Sequence, residues 1–196
     1  MERIVGTVAR GIRAPIMKEG DDIVKIVVDT ILKASEIEGF TINNKDIISL
    51  TESIVARTQG NYASINDISK DIVSKFGEDT IGVVFPILSR NRFATCLHGI
   101  AKGSKKIILM LQYPSDEVGN PLVSLDELDE KGINPWTDTL TEEEFRKLFG
   151  YKKHPFTNVD YIDFYKTIVE SHGTKCQIIF SNNPKTILDY TKNVLV

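Results

Sequence analysis

Two hydroxyl groups and an arginine follow an apolar run in the first third of the chain. The run is DIISL, residues 46–50, and it leads into Thr51, Ser53 and Arg57. In open α/β sheets, ligands bind outside the carboxyl ends of strands, where loops present hydroxyls and cations. A guanidinium can bind phosphate or carboxylate through two parallel hydrogen bonds. The pattern predicts a phosphate site at these three residues; the alternative is a helix cap at Ser53 and a solvated Arg57.

A second cluster lies in FPILSRNRF, where Ser89 is a candidate cap for the next helix. Arg90 and Arg92 fall in the first turn of that helix, where a cation opposes the helix dipole. The placement becomes favourable when an anion binds the free N–H groups. We therefore predict that both arginines contribute to a phosphate site, and the alternative is that they pair with acidic side chains elsewhere on the surface.

Two adjacent carboxylates, Asp116 and Glu117, follow the apolar run KKIILMLQY. Mg²⁺ takes oxygen ligands, keeps several waters and bridges one or two carboxylates to substrate phosphates. The sequence therefore predicts a metal site at Asp116 and Glu117, and a solvated turn is the alternative.

The histidines and cysteines point to no further chemistry. His98, His154 and His172 show no metal-ligand spacing with one another or with the cysteines. Cys96 lies two residues before His98, so on a helix the two side chains would face different sides. The phosphate-loop patterns GxxxxGK[ST] and GxGxxG do not occur in the sequence. The catalytic residues are therefore unknown at this point, and zinc is not expected.

The segments that carry these residues alternate between strand and helix patterns. We predict strands at residues 3–9, 46–52, 80–85, 105–113 and 175–183, and helices at 21–38, 64–77, 89–103, 158–173 and 184–191. The order predicts an α/β fold, with α+β as the alternative, in which helices flank a mixed sheet. We expect one domain over residues 1–196, with an irregular insertion at about 123–159 that holds one short helix, TEEEFRKLFG.

Two sets of apolar residues are candidates for the core or for an interface. The first predicted helix has a broad apolar face, which we assign to the core: Ile23, Val24, Ile26, Val27, Ile31 and Leu32. The irregular region carries four aromatic residues, Trp136, Phe145, Phe149 and Phe156. Aromatic residues are enriched in interface cores, so this region is a candidate dimer arm; the alternative is that it packs on its own domain.

Composition narrows the class of protein. With 41% hydrophobic residues, the 196-residue chain can build a folded core. A net charge of -3, from 24 basic and 27 acidic residues, argues against a general nucleic-acid binder. Two distant cysteines are typical of a reducing compartment, and no apolar run approaches a membrane span, so we expect a cytoplasmic protein. The apolar end NVLV predicts that the chain is the N-terminal part of a longer protein.

Two segments, IMKEGDDIVKIVVDTIL and INNKDIISLTESIVARTQGNY, resemble the N-terminal part of the coenzyme F-420-0:L-glutamate (gamma-glutamyl) ligases. Gly20, Asp21 and Asp22 match the family pattern (I/L)xxGDDL. Residues 46–60 match DGDVLVVTxxIVSKAEGR, with Arg57 at the position of the family's lysine. The clear match covers residues 16–62, about a quarter of the chain.

The resemblance implies a GTP-dependent enzyme that activates the carboxylate of a phosphorylated substrate and joins it to the amine of L-glutamate. It also implies Mg²⁺ or Mn²⁺ at the site, a homodimer, and a nucleotide-phosphate role for Ser53 and Arg57. The chemistry would be electrostatic, because metal and cations offset the charge on phosphate while the protein positions the reacting groups.

The sequence also departs from the family pattern. A metal-binding stretch like NAGID has its best counterpart in LHGIA, residues 97–101, which puts Ala101 at the aspartate position. We therefore expect a divergent ligase, and two alternatives stay open. One is a catalytically inactive nucleotide- or anion-binding regulatory module on the same scaffold. The other is an unrelated acyl-transfer or amide-forming enzyme in which Asp116 and Glu117 are the metal ligands.

Overall fold

The computed structural model describes residues 6–77, 79–116 and 119–196. Their contacts divide the chain into two compact units, the first ending at Tyr62 and the second beginning at Ala63. We refer to them as unit 1 and unit 2. The single-domain prediction stays a prediction.

Unit 1 contains two helices, α1 (Ile23–Glu38) and α2 (Glu52–Thr58), joined by irregular segments. The predicted α1 is confirmed, with the Asp22 carboxylate as its N-cap. Both strand predictions in this unit are wrong over the described residues: 6–9 and 46–51 lie in no strand, and α2 begins at Glu52. Residues 3–5 lie outside the described part. Within the described residues all five strands belong to unit 2, so an alternating pattern alone did not provide the pairing that a strand needs.

The apolar face of α1 is not the core that its periodicity predicts. None of its residues is buried, and Val24 and Leu32 keep 70% and 56% of their surface exposed. An amphipathic pattern shows which face of a helix can be buried. Whether that face is buried depends on the other elements that pack against it in the folded chain.

Unit 2 alternates strands and helices along the chain. Its elements are α3 (Ile65–Phe76), β1 (Thr80–Leu88), α4 (Arg92–Lys102), β2 (Lys106–Asp116), α5 (Leu125–Glu130), β3 (Leu140–Thr141), α6 (Glu142–Phe149), α7 (Tyr161–Glu170), β4 (Lys175–Phe180), a 3-10 helix (Pro184–Asp189) and β5 (Val194–Leu195).

The five strands form one mixed sheet in the order β3-β4-β2-β1-β5. Four strands run parallel, and the short β3 pairs antiparallel with β4 at the edge. In register, Ile107 of β2 lies between Ile81 of β1 and Cys176 of β4. The predicted α/β class, with helices flanking a mixed sheet, is confirmed.

Alternate side chains of the central strands enter two apolar layers. On one face Ile81, Leu109 and Ile178 belong to the large cluster that also contains Leu97 of α4 and Tyr165 of α7. On the other face the 3-10 helix contributes Ile187 to a smaller cluster, with Val84, Ile108, Met110 and Ile179. Parallel strands covered on both faces read as continuous apolar runs, which is why these strands were predictable.

The region predicted as an irregular insertion contains α5, β3 and α6. Phe145 of α6 is fully buried, and its ring stacks on that of Phe180 in β4 with centroids 4.2 Å apart. Trp136 and Phe156 are each 77% exposed. Part of the aromatic set therefore packs on its own unit, and the role of this region as a dimer arm stays a prediction.

Candidate functional site

The predicted phosphate residues of unit 1 lie on or beside α2. Thr51 occupies the N-cap position without a side-chain cap bond, and Ser53 lies inside the helix, so the alternative of a helix cap at Ser53 is wrong. Ser53 and Arg57 are four residues apart on one helix face, and both are exposed. Their phosphate role stays a prediction. Gly60 ends the turn after α2 at φ 63°, a backbone conformation that favours glycine.

The GDD segment has a local structural role. The Gly20 N–H donates to the Thr58 carbonyl at 2.9 Å, which ties this loop to the end of α2. The Asp21 carboxylate accepts from the Lys18 N–H at 2.6 Å. The next carboxylate, Asp22, accepts from the Lys25 N–H at 3.0 Å and caps α1. These residues therefore shape the loop before α1.

Unit 1 also contains a cavity of about 810 Å³ between the segment that precedes the GDD loop and the C-terminal half of α1. Three cations and one carboxylate line it, namely Arg10, Arg13, Lys33 and Glu38. The remaining lining is mostly apolar, and the Arg10 guanidinium lies 4.9 Å from the centroid of the Phe40 ring. In a chain of net charge -3, this is a local concentration of positive charge.

Such a cavity suits an anionic ligand with an apolar or planar part. Its volume is in the range of small-molecule sites, and guanidinium groups bind phosphate or carboxylate oxygens in pairs. Sequence reasoning missed these residues because Lys33 lies about 20 positions after Arg13. The signal that could have found them is the arginine pair in ARGIRAP, next to the GDD motif.

The second arginine cluster lies in unit 2, where α4 begins at Arg92 with Asn91 in the N-cap position. Arg90 precedes the helix, and both arginines are exposed. Ser89 is held by a pair of bonds with Tyr165 of α7: its N–H donates to the tyrosine oxygen at 2.8 Å, and the tyrosine hydroxyl donates back to its carbonyl at 3.2 Å. The binding of one anion by these arginines together with Arg57 stays a prediction, since the two sets lie in different units.

The family model described as F420-0:Gamma-glutamyl ligase matches residues 11–183. The chain belongs to this family. The match extends from the segment lining the unit 1 cavity to the end of β4 in unit 2, far beyond the quarter of the chain in which the motifs are recognisable. No curated protein and no solved structure shows significant similarity to the chain.

Membership in the F420-0:gamma-glutamyl ligase family associates the chain with gamma-glutamyl ligase function in F420 biosynthesis and with small-molecule substrates. Across the described ranges, no helix combines the length and the apolar character of a membrane span. The cytoplasmic location and the homodimer stay predictions.

The metal-binding role of Asp116 and Glu117 in this F420-0:gamma-glutamyl ligase family member stays a prediction. Asp116 ends β2, and Glu117 lies outside the described residues. Within the described part of the chain, no group of three or more His, Cys, Asp or Glu side chains could hold a metal ion. Ala101, at the position of the family's aspartate, is fully buried in the apolar cluster around α4. A carboxylate there would be enclosed by apolar side chains, so this position does not present a ligand to a metal.

The structure brings together two histidines that the sequence keeps apart. His98 of α4 and His172, which follows α7, lie within hydrogen-bond distance, with Nδ1 and Nε2 2.9 Å apart. They are 74 residues apart in the chain, so no local spacing could reveal them. The cysteines are free, with Cys96 exposed and Cys176 partly buried.

Proposed function

We propose that the chain is an F420-0:gamma-glutamyl ligase-like enzyme that forms an amide bond between a phosphorylated carboxylate substrate and L-glutamate, using GTP and a divalent metal ion. The observation that carries this proposal is the family match over residues 11–183. The unit 1 cavity supports it, because a volume of about 810 Å³ and three lining cations suit a phosphorylated ligand.

The proposed reaction has two steps. A carboxylate oxygen attacks the terminal phosphorus of GTP, GDP leaves, and an acyl phosphate forms. The amine of glutamate then attacks the acyl carbon, the C–O bond to phosphate breaks, and the amide forms as phosphate leaves and the amine gives up a proton. Charge is spread over phosphate oxygens in both steps, so positioned cations stabilise them. We assign this role to Arg10, Arg13 and Lys33, with Arg57 as a further candidate.

A divalent metal ion would neutralise charge on the transferring phosphate. The described residues offer no cluster that fits such an ion, so no step is assigned to it. Asp116 and Glu117 stay the candidate ligands.

The second candidate function is a regulatory module that binds a nucleotide or another anion without ligase chemistry. The observation that favours it is the buried position of Ala101, which removes the best sequence counterpart of the family's metal-binding aspartate from any ligand. The cationic cavity would serve this function equally well.

Thermal shift with GTP, GDP, ATP and ADP, each with and without Mg²⁺ or Mn²⁺, tests the proposal. A ligand at 100 times its dissociation constant stabilises the native state by about 2.7 kcal/mol, which raises the melting temperature by roughly 5–10 °C for a chain of this size. Lys33→Ala should remove most of the shift. Lys147→Ala, an exposed lysine on α6, is the matched control and should leave it unchanged.

The outcomes separate the candidates. A metal-dependent shift with guanine nucleotides alone, lost in Lys33→Ala, supports the ligase, and mass spectrometry should then detect the glutamylated product. Equal shifts with all nucleotides and inorganic phosphate, without product, support the anion-binding module. If no nucleotide shifts the melting temperature, or Lys33→Ala and Lys147→Ala behave alike, the assigned cavity role is wrong.

A further inference from the structure

The histidine pair joins two elements of unit 2 near the C-terminal end of α4. His98 is on α4, and His172 lies in the turn between α7 and β4. Their facing nitrogens, Nδ1 and Nε2, are 2.9 Å apart, and the ring planes are 81° apart.

The geometry is that of a hydrogen bond between imidazoles. The ring centroids are 5.2 Å apart and the facing nitrogens 2.9 Å, so the difference equals about two imidazole radii. The line between the nitrogens therefore runs through both ring centres, so an N–H on one nitrogen points directly at the lone pair of the other. Two nitrogens that shared a metal ion would instead direct both lone pairs at a point beside this line. One ring N–H thus donates to the other ring's nitrogen.

A second attachment holds the same turn and does not titrate. The Thr174 hydroxyl lies 2.7 Å from the Ala101 carbonyl and 2.9 Å from the Ser104 carbonyl, both at the end of α4. Thr174 is only 4% exposed, whereas the histidine contact is at the surface. The turn from Ser171 to Thr174 therefore has one permanent attachment to α4 and one that depends on protonation.

The pair has three protonation states with different strengths of attachment. The neutral pair makes one N–H···N bond. One added proton can go to the outer nitrogen of the donor ring, and the shared bond becomes charge-assisted and stronger. The next proton must go to the acceptor nitrogen, which breaks the bond and leaves two cations in contact. Because the sites interact, the two steps belong to the pair.

The surroundings oppose the second cation. The pKa of His172 is lowered mainly by burial, and then by electrostatic interaction with His98 and Lys102. Lys102, like His98, is on α4. On the α3 side Asn66 is uncharged, and it accepts a hydrogen bond from the Lys102 ammonium at 2.6 Å. At the end of α7 the Glu170 carboxylate interacts electrostatically with the Lys166 ammonium and the Cys176 thiol.

We propose that His98 and His172 form a proton-operated latch, which holds the α7–β4 turn on α4 and opens when both rings are protonated. Thr174 keeps the end of the turn attached, so the opening is local. The latch lies outside the cavity of the proposed function and does not depend on it.

The sign of the pH effect follows from the direction of the shift. The lowered pKa of His172 means that the unfolded chain binds more protons than the folded chain between the folded pKa and the ordinary value of about 6.5. The part of the stability that is linked to this shift is complete above the ordinary value and is lost as the pH falls through the folded pKa, when the second cation forms.

NMR titration of the imidazole rings tests the latch directly. The chain has three histidines, so the ring signals are few enough to follow one by one. In the wild-type protein both rings of the pair should respond to two steps more than about one pH unit apart. His172→Gln should leave the His98 ring with a single step, because its coupled partner no longer titrates. His154, which is buried elsewhere in unit 2, serves as the internal reference. Independent single steps for the two rings, with His98 unchanged by His172→Gln, would overturn the proposal.

Amide exchange provides the readout of opening. The Gly173 N–H donates to the Glu170 carbonyl at 2.9 Å, inside the latched turn. Its protection factor in the wild type should fall about fivefold or more on acidification, the size expected for one lost hydrogen bond. In His172→Gln it should be low at every pH, and in the control Thr174→Val it should be lower than wild type yet keep the acid-induced fall. A protection factor that acid and His172→Gln both leave unchanged would refute the latch.

Discussion

Replacing Arg146 by methionine tests the packing of α6 and α7 in unit 2. The guanidinium lies 2.5 Å from one oxygen of Asp160 and 3.2 Å from the other, and 2.6 Å from Asp163. It also lies 4.2 Å from the centroid of the Tyr151 ring. The side chains of Arg146 and Asp160 are 13% and 9% exposed, so water screens this pair little.

The loss of stability depends on the carboxylate that the substitution leaves buried without its cation. Removing one partner of a buried ion pair costs about 3–5 kcal/mol, because the other charge stays buried without compensation. Asp160 keeps two bonds from the Ile162 and Asp163 N–H groups at the start of α7, which lowers the cost. We therefore expect Arg146→Met to destabilise the protein by about 2–3 kcal/mol. At a urea slope near 2 kcal/mol/M, the midpoint falls by roughly 1 M.

Urea unfolding followed by circular dichroism measures this shift, and a matched substitution calibrates it. Lys75→Met removes the cation of an exposed pair, Lys75–Asp71, with side chains 61% and 56% exposed. It should cost less than about 0.5 kcal/mol. Asp160→Asn keeps an oxygen for the helix cap, so Arg146→Met combined with it should cost less than the sum of the two single changes. If Arg146→Met costs no more than Lys75→Met, the pair behaves as a surface salt bridge and the reasoning from burial fails.

Two further predictions concern the cysteines and the far face of the sheet. Burial, reinforced by Glu170, raises the pKa of the Cys176 thiol to about 12, so at neutral pH it stays protonated and should react with a thiol reagent much more slowly than the exposed Cys96; equal rates would contradict this. Gly82→Ala places a Cβ 2.5 Å from Ile187 Cγ1 and should cost about 1–3 kcal/mol in urea unfolding. Combined with Ile187→Ala, the loss should be smaller than the sum, and strict additivity would show that the two residues are not in contact.

Most of unit 2 could be predicted from the sequence because its signals are local. The segment IILML, residues 107–111, is apolar throughout, as a parallel strand covered on both faces must be, and it forms the centre of β2. Ser64 is followed three residues later by Asp67, and the two make the reciprocal bonds of a capping box at the start of α3. Each of these features depends on residues within one element.

The remainder depends on residues that meet only in the folded chain. DIISL has the composition of a strand, yet it lies in no strand because a strand also needs a neighbour to pair with. The cavity of unit 1 joins Arg13 to Lys33 across a loop and most of a helix. The latch joins His98 to His172 across two strands and three helices of the described chain. No periodicity or spacing rule connects such pairs.

The motif residues and the cavity residues of unit 1 carry different information. Gly20 and Asp22 are explained by a loop contact and a helix cap, so a match at these positions indicates a shared backbone shape. Arg10 lies over the Phe40 ring, whereas Arg13 and Lys33 have no such structural role among the contacts of the described residues. The three side chains gather positive charge in an otherwise acidic chain. Buried and helix-capping groups contribute to the free energy of unfolding, whereas exposed side chains contribute little. Substitutions at the cavity should therefore change ligand binding while leaving the free energy of unfolding nearly unchanged. The cavity is therefore where ligand binding can be tested apart from folding.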